Sequence, residues 1–319
     1  MEEMHRVFGT GPVGMSVVDE LLARGKRVRL ASRSGKARET LAGVEVVAAD
    51  AADPASTRQA CQGATHVYNC VNAPDYHRWP EQFPPLQAGI IEGAAAAGAR
   101  LIVMENLYMY GPHGGTPMTE DLPMNGTGSR CSTRKQMTID LFEAHRSGKV
   151  RVTSGRASDF FGPRVTQSFA GADVFRSAMA GKPVRVNGDP ALPHSYTYIK
   201  DIGKALVILG QHDEALGQAW HIPKSPTIST RQFLSQVFEA AGNPPRITAT
   251  SRGMAAFMLP LLALVTPQLK GLEENFWQMY EPFIVDHGKF DKAFDGELQA
   301  TQLRDSIHAT QQWYRTHHQ

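Results

Sequence analysis

The chain predicts an α/β fold: a doubly wound parallel sheet carrying a smaller C-terminal substrate domain built from later loops and helices. Three observations predict it. Val7-Phe8-Gly9-Thr10-Gly11-Pro12-Val13-Gly14 leads from an apolar strand through three glycines spaced Gly-x-Gly-x-x-Gly. An amphipathic segment, Met15 to Arg24, follows with Val17, Val18, Leu21 and Leu22 on one side. Strand-like and helix-like segments then alternate through the first half, an order that needs a parallel sheet with helices on both faces. Leu101-Ile102-Val103-Met104 is apolar without alternation, as a strand must be when both its faces are covered.

The elements follow in order. Gly25 closes the first helix. Arg27 to Ala31 forms the second strand, and Val44 to Ala49 the third, ending at Asp50. Asp53-Pro54 pairs an N-cap with a first-turn proline, and Gly63 stops that helix. His66 to Val71 is the fourth strand, and an alanine-rich helix runs to Ala97 with Gly98 after it. Leu101 to Met104 is the fifth. A helix is expected from about Ser132 to Arg146, ending at Gly148, and Val150 to Thr153 is the sixth strand.

The second half is less regular. Phe160-Phe161-Gly162-Pro163 interrupts the alternation, and Phe169 to Ala180 reads as a helix. Val184-Arg185-Val186 with Asn187-Gly188 reads as a short strand and turn. Ser229 caps a helix whose Phe233, Leu234, Val237 and Phe238 form a core stripe. Residues 1–160, with 194–225 returning, are assigned to a dinucleotide-binding domain, and 161–193 and 226–319 to the substrate domain.

The glycine turn has a stated chemistry. Gly9 makes the turn, Gly11 lets backbone approach a pyrophosphate, and Gly14 lets helix pack on strand. Thr10, Pro12 and Val13 complete the loop, and the helix N-terminus offers unpaired N–H groups to phosphates. An acidic residue at the end of the second strand would accept from a ribose 2′-hydroxyl. This chain has Ser32, Arg33 and Ser34 there instead. A carboxylate repels a 2′-phosphate, whereas a guanidinium grips one, so the expected cofactor is NADP(H).

Composition bounds the partners. The 319 residues are 42% hydrophobic and 20% charged, with a formal net charge of +2 and no basic stripe, so a small-molecule substrate is expected rather than nucleic acid. Cys61, Cys70 and Cys131 have no metal-like spacing, the histidines form no paired metal motif, and no metal is expected. An odd cysteine count without a signal peptide fits a reducing, cytoplasmic setting. The most apolar run, Met254 to Val265, contains Pro260 and is too short to span a bilayer.

Motifs in fixed order extend the argument. Met109-Tyr110-Gly111-Pro112 follows the fifth strand, then Met118-Thr119-Glu120-Asp121-Leu122-Pro123. Ala157 to Pro163, Ser195 to Asp201, and Pro282 to Asp286 with Lys289-Phe290 come later. With the glycine turn, these resemble the extended or atypical short-chain dehydrogenase/reductase superfamily, which includes epimerases and dehydratases, over nearly the whole chain. The resemblance implies a Rossmann-type domain, Asp50 and Ala51 near the adenine, and Cys70, Val71 and Asn72 near the nicotinamide half. It also implies a homodimer through the helices on either side of the fifth strand. There the small residues from about Gln87 to Ala97 would permit close approach, and Met137, Ile139, Leu141 and Phe142 supply apolar area.

The family's catalytic signature, Tyr-x-x-x-Lys with an upstream Ser or Thr, is altered. Aligned by resemblance, Lys135 is retained to hold the cofactor ribose, Cys131 stands where tyrosine would, and Asn106 stands at the upstream position. Cys131 is a candidate proton donor, its thiol lowered by Arg130, Arg134, Lys135 and a helix N-terminus. Asn106 can donate to a substrate oxygen. Tyr108 could supply the missing phenol, while Tyr110 is expected to pack. His77, His113 and His194 fall in loops and could line a substrate pocket, although the expected reading is solvated loop residues. Tyr76-His77-Arg78-Trp79-Pro80, Phe160, Phe161 and Met254 to Val265 are expected to shape a pocket with apolar walls. The expected function is an NADP(H)-dependent oxidoreductase acting on a small organic carbonyl-type substrate. The alternatives are a sugar-nucleotide epimerase or dehydratase and a non-catalytic NADP-binding sensor or scaffold.

Overall fold

The computed structural model describes residues 3–37, 39, 41–251, 253–254 and 272–317. The first half lays down β1 (Met4–Phe8), α1 (Pro12–Ala23), β2 (Arg27–Ser32), β3 (Glu45–Ala48), α2 (Pro54–Cys61), β4 (His66–Asn69), α3 (Trp79–Ala97), β5 (Arg100–Glu105), α4 (Ser129–Arg146) and β6 (Arg151–Arg156). Then come β7 (Asp159–Phe161), α5 (Ala172–Met179), β8 (Val184–Asn187), β9 (Pro193–His194), β10 (Tyr196–Tyr198), α6 (Ile199–Gln211) and β11 (Ala219–His221). The chain closes with β12 (Ile228–Ser229), α7 (Thr230–Ala241), β13 (Ile247–Thr250), α8 (Gly288–Ala293) and α9 (Leu303–Thr316).

Seven parallel strands form the main sheet in the order β11-β6-β5-β4-β1-β2-β3. Strand order reverses between β1 and β4, so their C-terminal ends open a crevice in which open α/β sheets bind ligands. One face packs on α1 and α6, through Val17, Val18 and Leu21 against Ile202 and Leu206. The other packs on α2, α3 and α4, through Cys61, Ile90, Ala94 and Leu141. The first of these cores continues without a break into Phe175, Phe233, Phe238 and Tyr314 of the later helices.

Local chemistry explains the element ends. Asp53 caps α2 by accepting from the Ala55 N–H at 3.0 Å. Ser229 and Gln232 form a reciprocal capping box on α7. Three sequence expectations shift. Helix α4 starts at Ser129 rather than Ser132, because Gly128 turns into it at φ 89° and no side-chain cap is needed. The helix expected from Phe169 begins only at Ala172, since Gly171 first donates back to the Ser168 carbonyl in a turn. The interruption at 160–163 contains a strand, β7, which pairs with β10.

The small residues of α3 serve the chain's own packing. A Cβ on Gly89 would stand 2.1 Å from the Ala51 carbonyl oxygen, and one on Gly93 would stand 2.7 Å from that of Thr57. Met137 and Leu141 are buried and Phe142 packs on the core, which leaves Ile139 as the exposed member of the expected pairing face. Most of the apolar area read as a dimer surface is therefore covered within the chain itself. No helix among the described residues is long and apolar enough to cross a membrane.

The glycine turn yields a direct test. A Cβ on Gly14 would lie 1.9 Å from the Gly9 carbonyl oxygen, whereas one on Gly11 meets nothing within 4 Å. Gly14→Ala should destabilise the fold by roughly 1–3 kcal/mol or more through overpacking. Gly11→Ala should leave stability nearly unchanged. Urea denaturation of the two variants checks the contrast.

Candidate active site

Two adjoining clefts open at the reversal of strand order. The first, about 450 Å³, runs past Gly9, Thr10, Gly11, Pro12 and Val13 to Ser32, Arg33 and Ala51 at one end, and to Cys70, Val71 and Asn72 at the other. The turn is built for a close approach. Gly9 has φ 108°, and a Cβ there would meet the Cys70 carbonyl oxygen at 2.7 Å. Helix α1 begins at Pro12 with Gly11 as N-cap, no side-chain cap and no acidic residue in its first turn. Its first N–H groups and positive dipole end therefore face the cleft without a side-chain anion to satisfy them. These features fit a dinucleotide pyrophosphate.

Arg33 is exposed at the far rim. The Ser32 hydroxyl is engaged in its own turn, donating to the Lys36 carbonyl at 2.8 Å and accepting the Lys36 N–H at 3.1 Å. Ser34 and Asp50 are exposed and do not line the cleft; Asp50 instead accepts the Ala52 N–H. Gly14 is also off the surface, packed beneath Gly9. The loop after β7 closes one side. Arg164, in a left-handed conformation at φ 68°, anchors that loop to Glu39 at 2.8 Å and Asp19 at 2.5 Å.

The second cleft, about 430 Å³, continues from Cys70–Asn72 toward the ends of β5 and β7. Aromatic rings dominate its walls: Trp79, Phe83, Tyr108, Phe160, Phe169 and Phe283. Polar groups project among them from Asn106, Arg134 and Asp159. Asn106 is half-buried, its Oδ1 accepting the Tyr108 N–H at 3.3 Å. Tyr108 stacks on Trp79 at 5.9 Å, and burial raises its phenol well above the ordinary range. Phe160 lines both clefts, but Phe161 points the other way on β7 and packs against Phe175 and Phe233. Beyond Met254, the 254–265 segment lies outside the described residues.

Helix α4 carries the altered signature. Lys135 is half-buried and lines neither cleft, while Arg134 lines the second and is 2% exposed. Cys131 is buried and also off both clefts. Its thiol is pushed up to about 11 by burial and by Glu274, against the lowering effect of Arg130. The expected lowering fails because desolvation disfavours a thiolate more than the neighbouring cation supports it. His194 is no solvated loop residue: it is buried, and its Nε2 lies 3.0 Å from Asp159 Oδ2. The His113 ring is nearly buried against Trp277, and His77 lines neither cleft. Among the described residues no cluster of three or more His, Cys, Asp or Glu could hold a metal.

Sequence reasoning missed the charged root of the second cleft. Glu105, at the end of β5, is fully enclosed. One carboxylate oxygen accepts from Thr138 at 2.6 Å and Arg134 at 3.3 Å, the other from Ser154 at 2.7 Å and Arg156 at 3.1 Å. Burial alone would raise its pKa, but Arg156 and Arg134, with the Thr138 and Ser154 hydroxyls, hold it below the ordinary value. Arg156 also donates to the Tyr110 hydroxyl at 2.7 Å, which lies 3.0 Å from His221 Nε2. His221 Nδ1 in turn donates to the Asp286 carbonyl at 2.9 Å. The available signal was a glutamate closing an apolar strand.

This network sets an acid sensitivity. Burial and Arg156 push His221 down to about 3 from 6.5, so its contribution is complete above pH 6.5 and is lost as pH falls toward 3. The Glu105 contribution is complete above its unfolded value of 4.5 and is lost as pH falls through its lower folded value. His5, pushed down to about 4 by burial and His66, adds to the upper window. Unfolding free energy should therefore decline as pH drops below 6.5, and His221→Gln should make that decline shallower between 6.5 and 4.5. At neutral pH, Glu105→Ala should cost ~3–5 kcal/mol, because it leaves two buried guanidiniums without their counter-charge. Urea denaturation across pH measures both.

Comparison with known proteins agrees with this architecture. No curated protein matches the chain. Among solved structures, an epimerase from Methanothermobacter thermautotrophicus superimposes with TM-score 0.80 at 16% identity, covering 99% of this chain and 93% of that one. UDP-glucose 4-epimerase from Thermus thermophilus, solved with NAD, gives 0.76 at 17% identity, covering 98% and 99%. The dTDP-glucose 4,6-dehydratase from Streptomyces venezuelae, solved with NAD, gives 0.77 at 16% identity, covering 98% and 97%. At these identities the likeness is one of fold. The sequence profile of the NAD dependent epimerase/dehydratase family matches residues 9–222, two-thirds of the chain. The protein with this glycine turn and this sheet order belongs to the NAD dependent epimerase/dehydratase family.

Proposed function

We propose that the protein is an NADP(H)-dependent oxidoreductase that reduces a small organic carbonyl compound with an aromatic or otherwise apolar body. The observation that carries this reading is the junction of a glycine-turn cleft, with Arg33 at its rim, and an aromatic-walled cleft. In the first cleft, Gly9 to Val13 and the start of α1 hold the pyrophosphate. Arg33, flanked by Ser32 and Ser34, takes the 2′-phosphate, and Ala51 with the neighbouring Asp50 backbone borders the adenine. Cys70, Val71 and Asn72 border the nicotinamide, which supplies the hydride when bound. Asn106 donates from its side-chain amide to the substrate oxygen. The aromatic walls exclude water and hold the apolar body of the substrate. Lys135 has no part in this reading, since Arg134 takes the cleft-facing position.

Two of the structural neighbours are named for sugar nucleotides, UDP-glucose and dTDP-glucose, which raises a second reading, an epimerase or dehydratase of that kind. That chemistry begins by deprotonating a sugar hydroxyl. The thiol of Cys131 is pushed up to about 11, and burial also raises Tyr108, so neither is an ionised base near neutral pH. A protonated site suits reduction, where a proton is given to the substrate. Two measurements decide among the readings. Calorimetric titration should show tighter binding of NADPH than NADH, and Arg33→Ala should weaken NADPH by ~1.5–3 kcal/mol while leaving NADH nearly unchanged. NADPH consumption should appear in a screen of aryl ketones, enones and imines. Tight NADPH binding with no acceptor above background would leave a cofactor sensor in place of an enzyme.

A further inference from the structure

Reduction of a carbonyl needs a proton donor that reaches the substrate oxygen while the carbonyl carbon faces the nicotinamide. Such a donor must touch both clefts. Among the described residues, Cys70, Tyr76 and Ser168 carry an S–H or O–H group and line both. Cys70 sits beneath the glycine turn, 3.5 Å from where a Cβ on Gly14 would be, and burial pushes its thiol up to about 12. Ser168 is an alkyl alcohol, a far weaker acid than a phenol, and its hydroxyl accepts the Ala170 N–H at 3.3 Å within its own turn.

Tyr76 is placed differently. Its ring stacks on Trp79 at 4.6 Å, and Trp79 in turn stacks on Tyr108. Its phenol sits against the Asn72 amide and the Tyr108 hydroxyl. Arg130, in the first turn of α4, donates from Nε to the Tyr76 carbonyl at 3.1 Å and holds its guanidinium 5.8 Å from the ring centroid. Asp75 fixes the start of the segment by accepting the His77 N–H at 2.9 Å. The ring is thus held on one side by an indole and on another by a cation, and the residue borders both clefts.

We propose that Tyr76 is the catalytic proton donor, a step that rests on the reductase reading above. The carbonyl carbon gains a C–H bond from the hydride of bound NADPH, which is oxidised to NADP⁺. The π pair of the C=O bond moves to oxygen and takes the Tyr76 proton, leaving alcohol and phenolate. Tyr76 is 37% exposed, so solvent returns the proton to the phenolate. Burial raises the Tyr76 phenol above its ordinary value, so it enters the step protonated, as an acid for reduction. Arg130 acts as a positioning residue that holds the Tyr76 backbone and ring.

The test uses the full chain with NADPH and benzil, an activated aryl diketone, alongside a panel of other aryl ketones. Tyr76→Phe keeps the ring and its stacking on Trp79. It should lose roughly 10²–10⁴-fold in kcat while NADPH affinity and the KM for benzil stay close to native, and its loss should exceed that of Ser168→Ala and Cys70→Ala by at least roughly tenfold. Retained NADPH binding shows that the variant is folded. A native-like kcat in Tyr76→Phe, or a larger loss in either of the other two variants, overturns the proposal and leaves the reductase reading standing. If the native protein consumes no NADPH with any ketone of the panel, the reductase reading fails and the proposal falls with it.

Discussion

The Glu105 carboxylate organises the deep end of this molecule. It joins the end of β5 to α4 through Thr138 and Arg134, and to β6 through Ser154 and Arg156. Arg156 extends the connection to Tyr110 and His221, and so to the late segment around Asp286. Taking three charges out of water carries a large desolvation penalty, and good geometry with satisfied oxygens is what offsets it. The arrangement also sets what reaches the second cleft. It fixes the strand end from which Asn106 and Tyr108 emerge, and it brings Arg134 to the cleft wall.

The second organising feature is the reversal of strand order between β1 and β4. It separates the helices that follow those strands and leaves their C-terminal ends facing open space. The glycine turn occupies one side of that space and the Cys70–Tyr76 segment the other. Continuity between the two clefts follows from this geometry, because the same stretch after β4 forms the wall of both. The loop carrying Gln167 and Ser168 borders both clefts as well, anchored by Arg164, whose left-handed backbone is held in place by ion pairs to Asp19 and Glu39.

Much of the fold was legible because its signals are local. Glycine spacing, helix caps such as Asp53 and Ser229, and the apolar run of β5 each depend on residues a few positions apart. The first cleft was legible for the same reason, since Gly9 to Val13 form one continuous turn and Arg33 stands at the end of the next strand. The second cleft was much less so. Helix α4 begins three residues earlier than the hydroxyl-rich Ser132-Thr133 suggested, and each residue turns the face by about 100°. Adjacent residues therefore meet different surroundings, and Arg134 rather than Lys135 faces the cleft. Cys131 looked activated by its basic neighbours, yet the surrounding protein buries it and raises its pKa instead.

By itself, then, the sequence determined the doubly wound sheet, the glycine turn and the basic strand end beside it, because periodicity and turn chemistry are written into neighbouring residues. Tertiary structure alone decided which side chains share the second cleft. Glu105 meets Arg156 across 51 positions, and Tyr76 meets Arg130 across 54. Partners at such separations are chosen by strand order, helix rotation and desolvation, and none of these leaves a local pattern in the chain.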